Sequence, residues 1–229
     1  MAISMKHVAP APRLDPMTPA RALVAMSRPS QVALVWVIYA AGVMLGLARP
    51  EARADVWAMA LAALLITAAA VAAHLVNEAE DAATDRLTER TAFSGGSGAL
   101  EASGVDPAVP LREGLLLAGT VAAITWIAWL AQALPGVAAP LVLVGLVGAL
   151  FYSLPPLAAM RHGWGEALNA ALGGMLLPLA GVAVVAGRIE LADILAFTPL
   201  ALVVLVSVMA TAWPDREADA ATGKATLQV

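Results

Sequence analysis

Six long apolar stretches, separated by more polar segments, constrain the fold of this chain more than any other feature. A membrane-spanning helix needs about 20 apolar residues at a rise of about 1.5 Å per residue, and each stretch is close to that length. Backbone polar groups inside lipid must be satisfied within the chain, which favours helices. We therefore predict an all-α, polytopic membrane helical bundle without a sheet. The six predicted spans cover residues 32–48, 56–76, 115–134, 137–152, 167–186 and 191–213.

The composition favours a membrane protein and excludes several other classes. Of the 229 residues, 61% are hydrophobic and 13% are charged, and the mean hydropathy is +0.82. Soluble domains are usually about 45–50% apolar and about 25% charged, so one globular core could not bury this much apolar surface. These values also exclude a disordered chain and a nucleic-acid partner bound through a basic surface. The chain contains no cysteine, which excludes thiolate metal sites and cysteine nucleophiles.

The basic residues predict the orientation of the spans. Of the 13 Lys and Arg residues, all but Arg49, Arg53 and Arg188 fall on the side that holds the N-terminus and the longer loops. By the positive-inside rule that side faces the cytoplasm, and the expected location is the inner (plasma) membrane. Residues 1–27 do not resemble a signal peptide, so we interpret them as a cytoplasmic N-terminal tail. Residues 28–229 then form the membrane domain.

Two strings of acidic residues follow even-numbered spans. Asn77, Asp81 and Asp85 come after the second span at a spacing of four, which places their side chains on one face of a continuing helix. Asp215 and Asp219 repeat this spacing after the sixth span.

The two strings align with each other along their whole length. Asp81 matches Asp219, and each of them begins the sequence DAAT. Arg86 matches Lys224 at the basic end of each string. The repetition suggests an internal duplication with two facing half-sites. The alternative reading is that charged residues merely end two helices of an alanine-rich membrane protein.

Carboxylates gathered at the mouth of a bundle would repel one another, so cations are expected among them. Mg²⁺ prefers carboxylate oxygens and completes its coordination shell with substrate phosphate oxygens. The paired strings therefore predict Mg²⁺ between the protein and a diphosphate. The glycine-rich segment 91–100, between the strings, has the composition either of a phosphate-binding loop or of a flexible linker.

On these motifs the chain resembles the UbiA superfamily of intramembrane prenyltransferases. That family carries NxxxDxxxD after its second helix and DxxxD after its sixth, and this chain reads NEAEDAATD and DREAD there. The residues from Tyr152 to Pro156 are similar to the family's YSxPP element, and those from Gly163 to Glu166 to its GxGE element. Arg28 and Pro29 resemble the family's RP pair before the first span.

The resemblance implies transfer of a polyprenyl group from its diphosphate to an aromatic acceptor, with Mg²⁺ as cofactor and membrane lipid around the protein. The implied catalytic residues are Asp81, Asp85, Asp215 and Asp219. The implied Mg²⁺ ligands are the same four residues and Asn77. The implied substrate-binding residues are Asn77, Arg86, Lys224, Arg161, Tyr152 and Arg28.

Two finer expectations come from the same resemblance. The FSGGSG stretch and the DxxxDxxxGKxTL string look closest to the branch that makes menaquinone-type naphthoquinones, the 1,4-dihydroxy-2-naphthoate polyprenyltransferases. The family has about nine spans, whereas six are predicted here, so the domain is expected to be incomplete at its C-terminus.

Three alternatives remain open from the sequence. The acceptor could instead be 4-hydroxybenzoate, chlorophyllide or glycerol phosphate. A divalent-cation transporter or cation-binding membrane protein would also duplicate acidic half-sites. A degenerate six-span protein that only binds prenyl lipid is the third.

Overall fold

The computed structural model describes residues 17–88 and 95–229. Phe93 and Ser94 of the glycine-rich stretch, and most of the predicted N-terminal tail, lie outside the described residues. Within the described ranges the chain is helical and contains no strand, and the one isolated bridge joins His162 and Ala225. The predicted all-α bundle is confirmed.

Eleven α-helices are found in these ranges. They are α1 (Pro19–Met26), α2 (Pro29–Leu47), α3 (Val56–Glu80), α4 (Ala82–Asp85), α5 (Ala99–Ser103), α6 (Ala108–Leu130), α7 (Ala138–Ser153), α8 (Gly165–Asn169), α9 (Leu177–Ala186), α10 (Leu191–Ala212) and α11 (Arg216–Ala221). A π-helical segment, Ala170–Leu176, joins α8 to α9. Short 3₁₀ turns, Ala159–Arg161 and Trp213–Asp215, precede α8 and α11.

Five helical stretches in the described part are long and apolar enough to cross a membrane. They are Pro19–Leu47, Val56–Glu80, Ala108–Leu130, Gly165–Ala186 and Leu191–Ala221. The fourth predicted span corresponds to α7, which has 16 residues. It ends where Leu154 adopts an extended conformation, because the residue before a proline disfavours the helical region.

Two predicted boundaries differ from the structure. The third span was placed at residues 115–134, whereas α6 begins at Ala108 and ends at Leu130. Its first turns carry Arg112 and Glu113, which pair at 2.7 Å on the surface, and hydropathy alone does not mark such a polar helical extension. The residues just before position 28 are also helical, because Thr18 caps α1 and Pro19 begins it.

Small residues let the central helices pack with their backbones in contact. A Cβ placed on Gly42 of α2 would lie 1.9 Å from the carbonyl oxygen of Pro178 in α9. A Cβ on Gly181 of α9 would lie 2.4 Å from the carbonyl oxygen of Tyr39 in α2. Each helix therefore presents a glycine to the other's backbone, as is common where membrane helices approach closely.

An ion-pair network closes the end of the bundle opposite the acidic strings. Arg49, just after α2, donates to Asp193 at the start of α10 over 2.5 Å. Arg188 pairs with Glu51 at 2.5 Å and with Glu190 at 2.7 Å. These pairs join the α2–α3 loop to the α9–α10 loop. They hold the first turns of α10, whose buried residues are Asp193 and Phe197.

Candidate active site

The first acidic string continues the helical hydrogen-bond ladder beyond α3. The amide of Asp81 donates to the carbonyl of Asn77, and the amide of Asp85 donates to that of Asp81, each over 2.9 Å. The side chains follow the same face, since Asn77 Nδ2 donates to Asp81 Oδ2 over 2.8 Å. α3 and α4 thus present the string as a nearly continuous stripe.

The second string folds back on itself after α11. The amide of Lys224 donates to the carbonyl of Asp219 over 2.9 Å. The turn passes through Gly223, whose φ of +75° is a conformation that favours glycine. The turn points the lysine side chain towards the carboxylates rather than into solvent.

The two strings meet at one end of the bundle. Lys224 Nζ lies 2.5 Å from Asp81 Oδ1 and 3.5 Å from Asp219 Oδ1. The lysine side chain is only 7% exposed. Thr84 Oγ1 and Thr222 Oγ1, which hold equivalent positions in the two strings, are 3.3 Å apart. Equivalent residues of the repeated pattern therefore face each other across the contact.

An acidic cavity of about 100 Å³ lies between the strings. Its polar lining residues are Asp81, Asp85, Asp215, Asp219, Glu166, Lys224, Tyr152, Thr84 and Thr226. Four of the five predicted Mg²⁺ ligands thus border one space.

The electrostatics of Asp85 reflect this crowding. Burial and the nearby charges of Asp81 and Glu78 together raise the pKa of Asp85 to about 7, against the opposing effects of Arg28 and Lys224. A cation that approached the carboxylates would favour the ionised form of Asp85.

The lining residues fit a magnesium ion in donor chemistry. They supply hard carboxylate oxygens, and Asp215 Oδ1 is buried without a hydrogen-bond partner among the described residues. In the same ranges no three acidic or histidine side chains converge closely enough to hold a metal ion by themselves. Lys224 Nζ instead lies between Asp81 and Asp219. A metal held here would need ligands from outside the protein, such as phosphate oxygens or water.

A second cavity, which is apolar and has a volume of about 220 Å³, adjoins the acidic one. Tyr152 lines both cavities and so marks their junction. The apolar cavity is lined by residues of α2, α3, α7, α9 and the π-helical segment, and Asn169 of α8 is its one other polar lining residue. The arrangement offers adjoining polar and apolar spaces, as a substrate with an anionic head and a hydrocarbon tail requires.

The model of the UbiA prenyltransferase family matches residues 34–229. That range contains both acidic strings, Tyr152 and every residue that lines the two cavities. The chain belongs to the UbiA prenyltransferase family. It is accordingly a multi-pass membrane prenyltransferase, of a family whose substrates are polyprenyl diphosphates and aromatic compounds and whose Asp-rich motifs generally use Mg²⁺. A search of curated proteins and a search of solved structures each found no match.

Three predicted substrate-binding arginines of this UbiA-family chain lie outside the lining of the acidic cavity. Arg28 pairs with Glu78 at 3.3 Å. Arg161 donates to the carbonyl of Glu80 over 3.1 Å. Arg86 is exposed and borders a different cavity, on the far side of Asp85. Of the predicted cationic residues, Lys224 is therefore the one that enters the acidic cavity.

Sequence reasoning did not single out Glu78, and it noted Glu166 only as the last residue of the GxGE element. Glu166 is buried, lines the acidic cavity, and accepts the amide of Leu227 over 3.0 Å. Ala225 donates its amide to the carbonyl of Arg161 over 3.0 Å. The 3₁₀ turn before α8 and the first turn of α8 thus fix the chain on either side of Thr226. For Glu166 the sequence did offer a signal, because this acidic residue directly precedes the predicted span 167–186, where an unpaired charge is costly.

Proposed function

We propose that this UbiA-family chain transfers a polyprenyl group from its diphosphate to the ring of 1,4-dihydroxy-2-naphthoate, a step of menaquinone-type quinone biosynthesis. The observation that carries the transfer reaction is the junction of the acidic and apolar cavities at Tyr152. The acceptor rests on the likeness of the glycine-rich stretch and the GKxTL ending to the naphthoquinone branch.

The acidic cavity is the proposed diphosphate site. Asp81, Asp85, Asp215 and Asp219, with Asn77 oriented through Asp81, would hold Mg²⁺ by their oxygen atoms. When bound, the metal supplies Lewis-acid stabilisation of the charge that develops on the leaving diphosphate. Lys224 Nζ, placed between two of these carboxylates, donates charge-assisted hydrogen bonds to phosphate oxygens.

The apolar cavity is the proposed site of the prenyl tail. Its lining, formed by aliphatic side chains and glycines of α2, α3, α7, α9 and the π-helical segment, keeps water from the allylic carbon as the diphosphate leaves. Tyr152 faces both cavities, so its ring lies where cationic character develops and can stabilise it through the face of the π system.

The acidic cavity opens at the cytoplasmic side in this proposal. The opposite end of the bundle carries Arg49, Arg53 and Arg188, whereas Arg86, Arg161 and Lys224 lie at the end with the acidic strings. Diphosphates and hydrophilic acceptors would therefore reach the site from the cytoplasm.

An acceptor panel tests the proposal. The purified chain in lipid nanodiscs is supplied with a polyprenyl diphosphate, Mg²⁺ and, in turn, 1,4-dihydroxy-2-naphthoate, 4-hydroxybenzoate, chlorophyllide or glycerol phosphate. We expect a prenylated naphthoate product that disappears when EDTA removes the metal. Transfer to a different acceptor would overturn the naphthoate assignment alone. Absence of transfer to any acceptor, together with Mg²⁺ flux into sealed proteoliposomes that contain the chain, would replace the proposal with a transport function.

A further inference from the structure

Glu78 is a buried acidic residue that the proposed reaction does not use. It follows Asn77 directly, and one residue turns a helix by about 100°, so Glu78 projects off the face that carries Asn77 and Asp81. Its side chain is only 2% exposed, and it does not line the acidic cavity. A carboxylate this buried requires partners that compensate its charge and satisfy its oxygen atoms.

The partners of Glu78 join three separate segments of the chain. Arg28, at the start of α2, donates to Glu78 Oε2 over 3.3 Å. The amide of Ser97 donates to both carboxylate oxygens over 3.3 Å, and the Ser97 hydroxyl donates to Oε1 as well. Ser97 Oγ in turn accepts the amide of Ala99, where α5 begins. Glu78 thus fastens the described part of the glycine-rich stretch to the end of α3.

The fastened segment touches Asp85. Gly96 has a φ of +67°, and a Cβ placed on it would lie 2.0 Å from Asp85 Oδ2. The backbone at Gly96 therefore packs directly on the carboxylate, in a space that admits no side chain. Since Asp85 also lines the acidic cavity, the position of residues 95–98 limits where its carboxylate can point.

We propose that Glu78 is a positioning residue: through Ser97 it holds Gly96 against Asp85 and so keeps the Asp85 carboxylate directed at the acidic cavity. Arg28 compensates the charge of Glu78 and ties the start of α2 to the same contact. The catalytic consequence rests on the proposed function, because it assumes that Asp85 helps to hold the metal. The anchoring of residues 95–98 does not depend on that assumption.

Hydrogen exchange tests the anchoring directly. We compare the amides of residues 95–103 in the unsubstituted protein, in Glu78→Gln and in Ser97→Ala. Loss of either partner should speed exchange of these amides about tenfold or more, since local opening then costs less. The double variant should exchange no faster than the faster single variant, because both substitutions break one contact. Glu113→Gln, which removes a surface pair with Arg112, is the matched control and should leave these amides unchanged. Unchanged exchange in Glu78→Gln, or fully additive effects, would overturn the anchoring.

A second measurement tests the positioning. Glu78→Gln and Ser97→Ala should raise the Mg²⁺ concentration needed for half-maximal prenyl transfer by about threefold to tenfold, whereas the KM of the aromatic acceptor stays constant. Ser97→Thr retains the hydroxyl, so its half-maximal Mg²⁺ concentration should equal that of the unsubstituted protein. Faster amide exchange in residues 95–103 without a change in the half-maximal Mg²⁺ concentration would overturn the positioning role. If the unsubstituted protein transfers no prenyl group, the proposed function fails, while the exchange data still decide the anchoring.

Discussion

The two acidic strings share a sequence pattern but differ in how their basic ends are used. Lys224, at the end of the second string, folds back between Asp81 and Asp219. Arg86, at the equivalent position of the first string, is exposed and borders another cavity. The glycines near the two strings also differ in their surroundings. Gly96 packs on Asp85 of the first string, whereas a Cβ placed on Gly223 of the second string would have no neighbouring atom within 4 Å. A duplicated pattern has therefore given two half-sites with unequal chemistry.

The largest expected effect comes from the carboxylates that the two strings have in common. Asp81→Asn and Asp219→Asn should each lower kcat/KM for prenyl transfer at least about 100-fold, because each removes charge that stabilises the leaving diphosphate through the metal. Titration calorimetry with inorganic diphosphate should show weakened binding only when Mg²⁺ is present. Glu217→Gln is the control, since its side chain lies in the same string and is 85% exposed. Equal losses without Mg²⁺ would indicate a structural role at the helix ends.

Substitutions of Lys224 and Arg86, the basic ends of the two strings, should have unequal effects on diphosphate binding. Lys224→Met should weaken Mg²⁺-dependent diphosphate binding about tenfold or more, which corresponds to roughly 1.4 kcal/mol, because a buried charge-assisted contact is lost. Arg86→Met should change binding less than about threefold, since an exposed cation is screened by solvent. Calorimetry on the two variants under identical salt measures the difference. Equal losses would mean that the half-sites act symmetrically on the substrate.

Substitutions of Gly96 and Gly223 should also distinguish the two half-sites, with a smaller difference in the measured effect. Gly96→Ala and Gly223→Ala both place a side chain at positive φ, which costs about 1–2 kcal/mol of folding free energy. Only Gly96→Ala also displaces Asp85. We therefore expect similar losses in thermal stability but a clear rise in the Mg²⁺ requirement for Gly96→Ala alone. A matching rise in Gly223→Ala would remove the special role of the Gly96 contact.

The smallest expected effect comes from the contact between Thr84 and Thr222, which hold equivalent positions in the two strings. Thr84→Val and Thr222→Val each remove one hydroxyl from a pair 3.3 Å apart, so each should lower stability by about 1 kcal/mol or less. The Thr222 hydroxyl also donates to the carbonyl of Ala218 over 3.0 Å, so Thr222→Val should cost more than Thr84→Val. The double variant should cost less than the sum of the two single variants, because both remove the one contact between the hydroxyls. Thermal unfolding in detergent measures all three. Fully additive losses would show that the contact between the two hydroxyls contributes nothing to stability.

Part of this site was predictable from local spacing. The interval of four between Asn77, Asp81 and Asp85 requires only a helix to place them on one face, and the helical ladder does continue through them. The partners of Glu78 were not predictable, because Ser97 lies 19 residues away and Arg28 lies 50 residues away. Nothing local in the sequence specifies a contact across such distances.

The positions of the cationic residues also depend on tertiary contacts that the local sequence does not specify. Arg86, Arg161, Arg28 and Lys224 were equivalent candidates for phosphate binding on charge alone. The glycine turn after α11 directs Lys224 inward, while Arg28 and Arg161 find partners at the end of α3. Chain direction and neighbouring acceptors, rather than residue type, decide which cation reaches the cavity.

The sequence by itself determined that this protein is a helical membrane bundle with two acidic strings at helix ends, since hydropathy and helical spacing are local properties of the chain. Only the tertiary structure decided that Lys224 rather than Arg86 lies among the carboxylates, that Tyr152 joins an acidic cavity to an apolar one, and that Glu78 anchors a glycine segment on Asp85. Each of these depends on contacts between segments far apart in sequence, which the packed helices bring together. The close approach of these helices is set by packing at glycines such as Gly42 and Gly181.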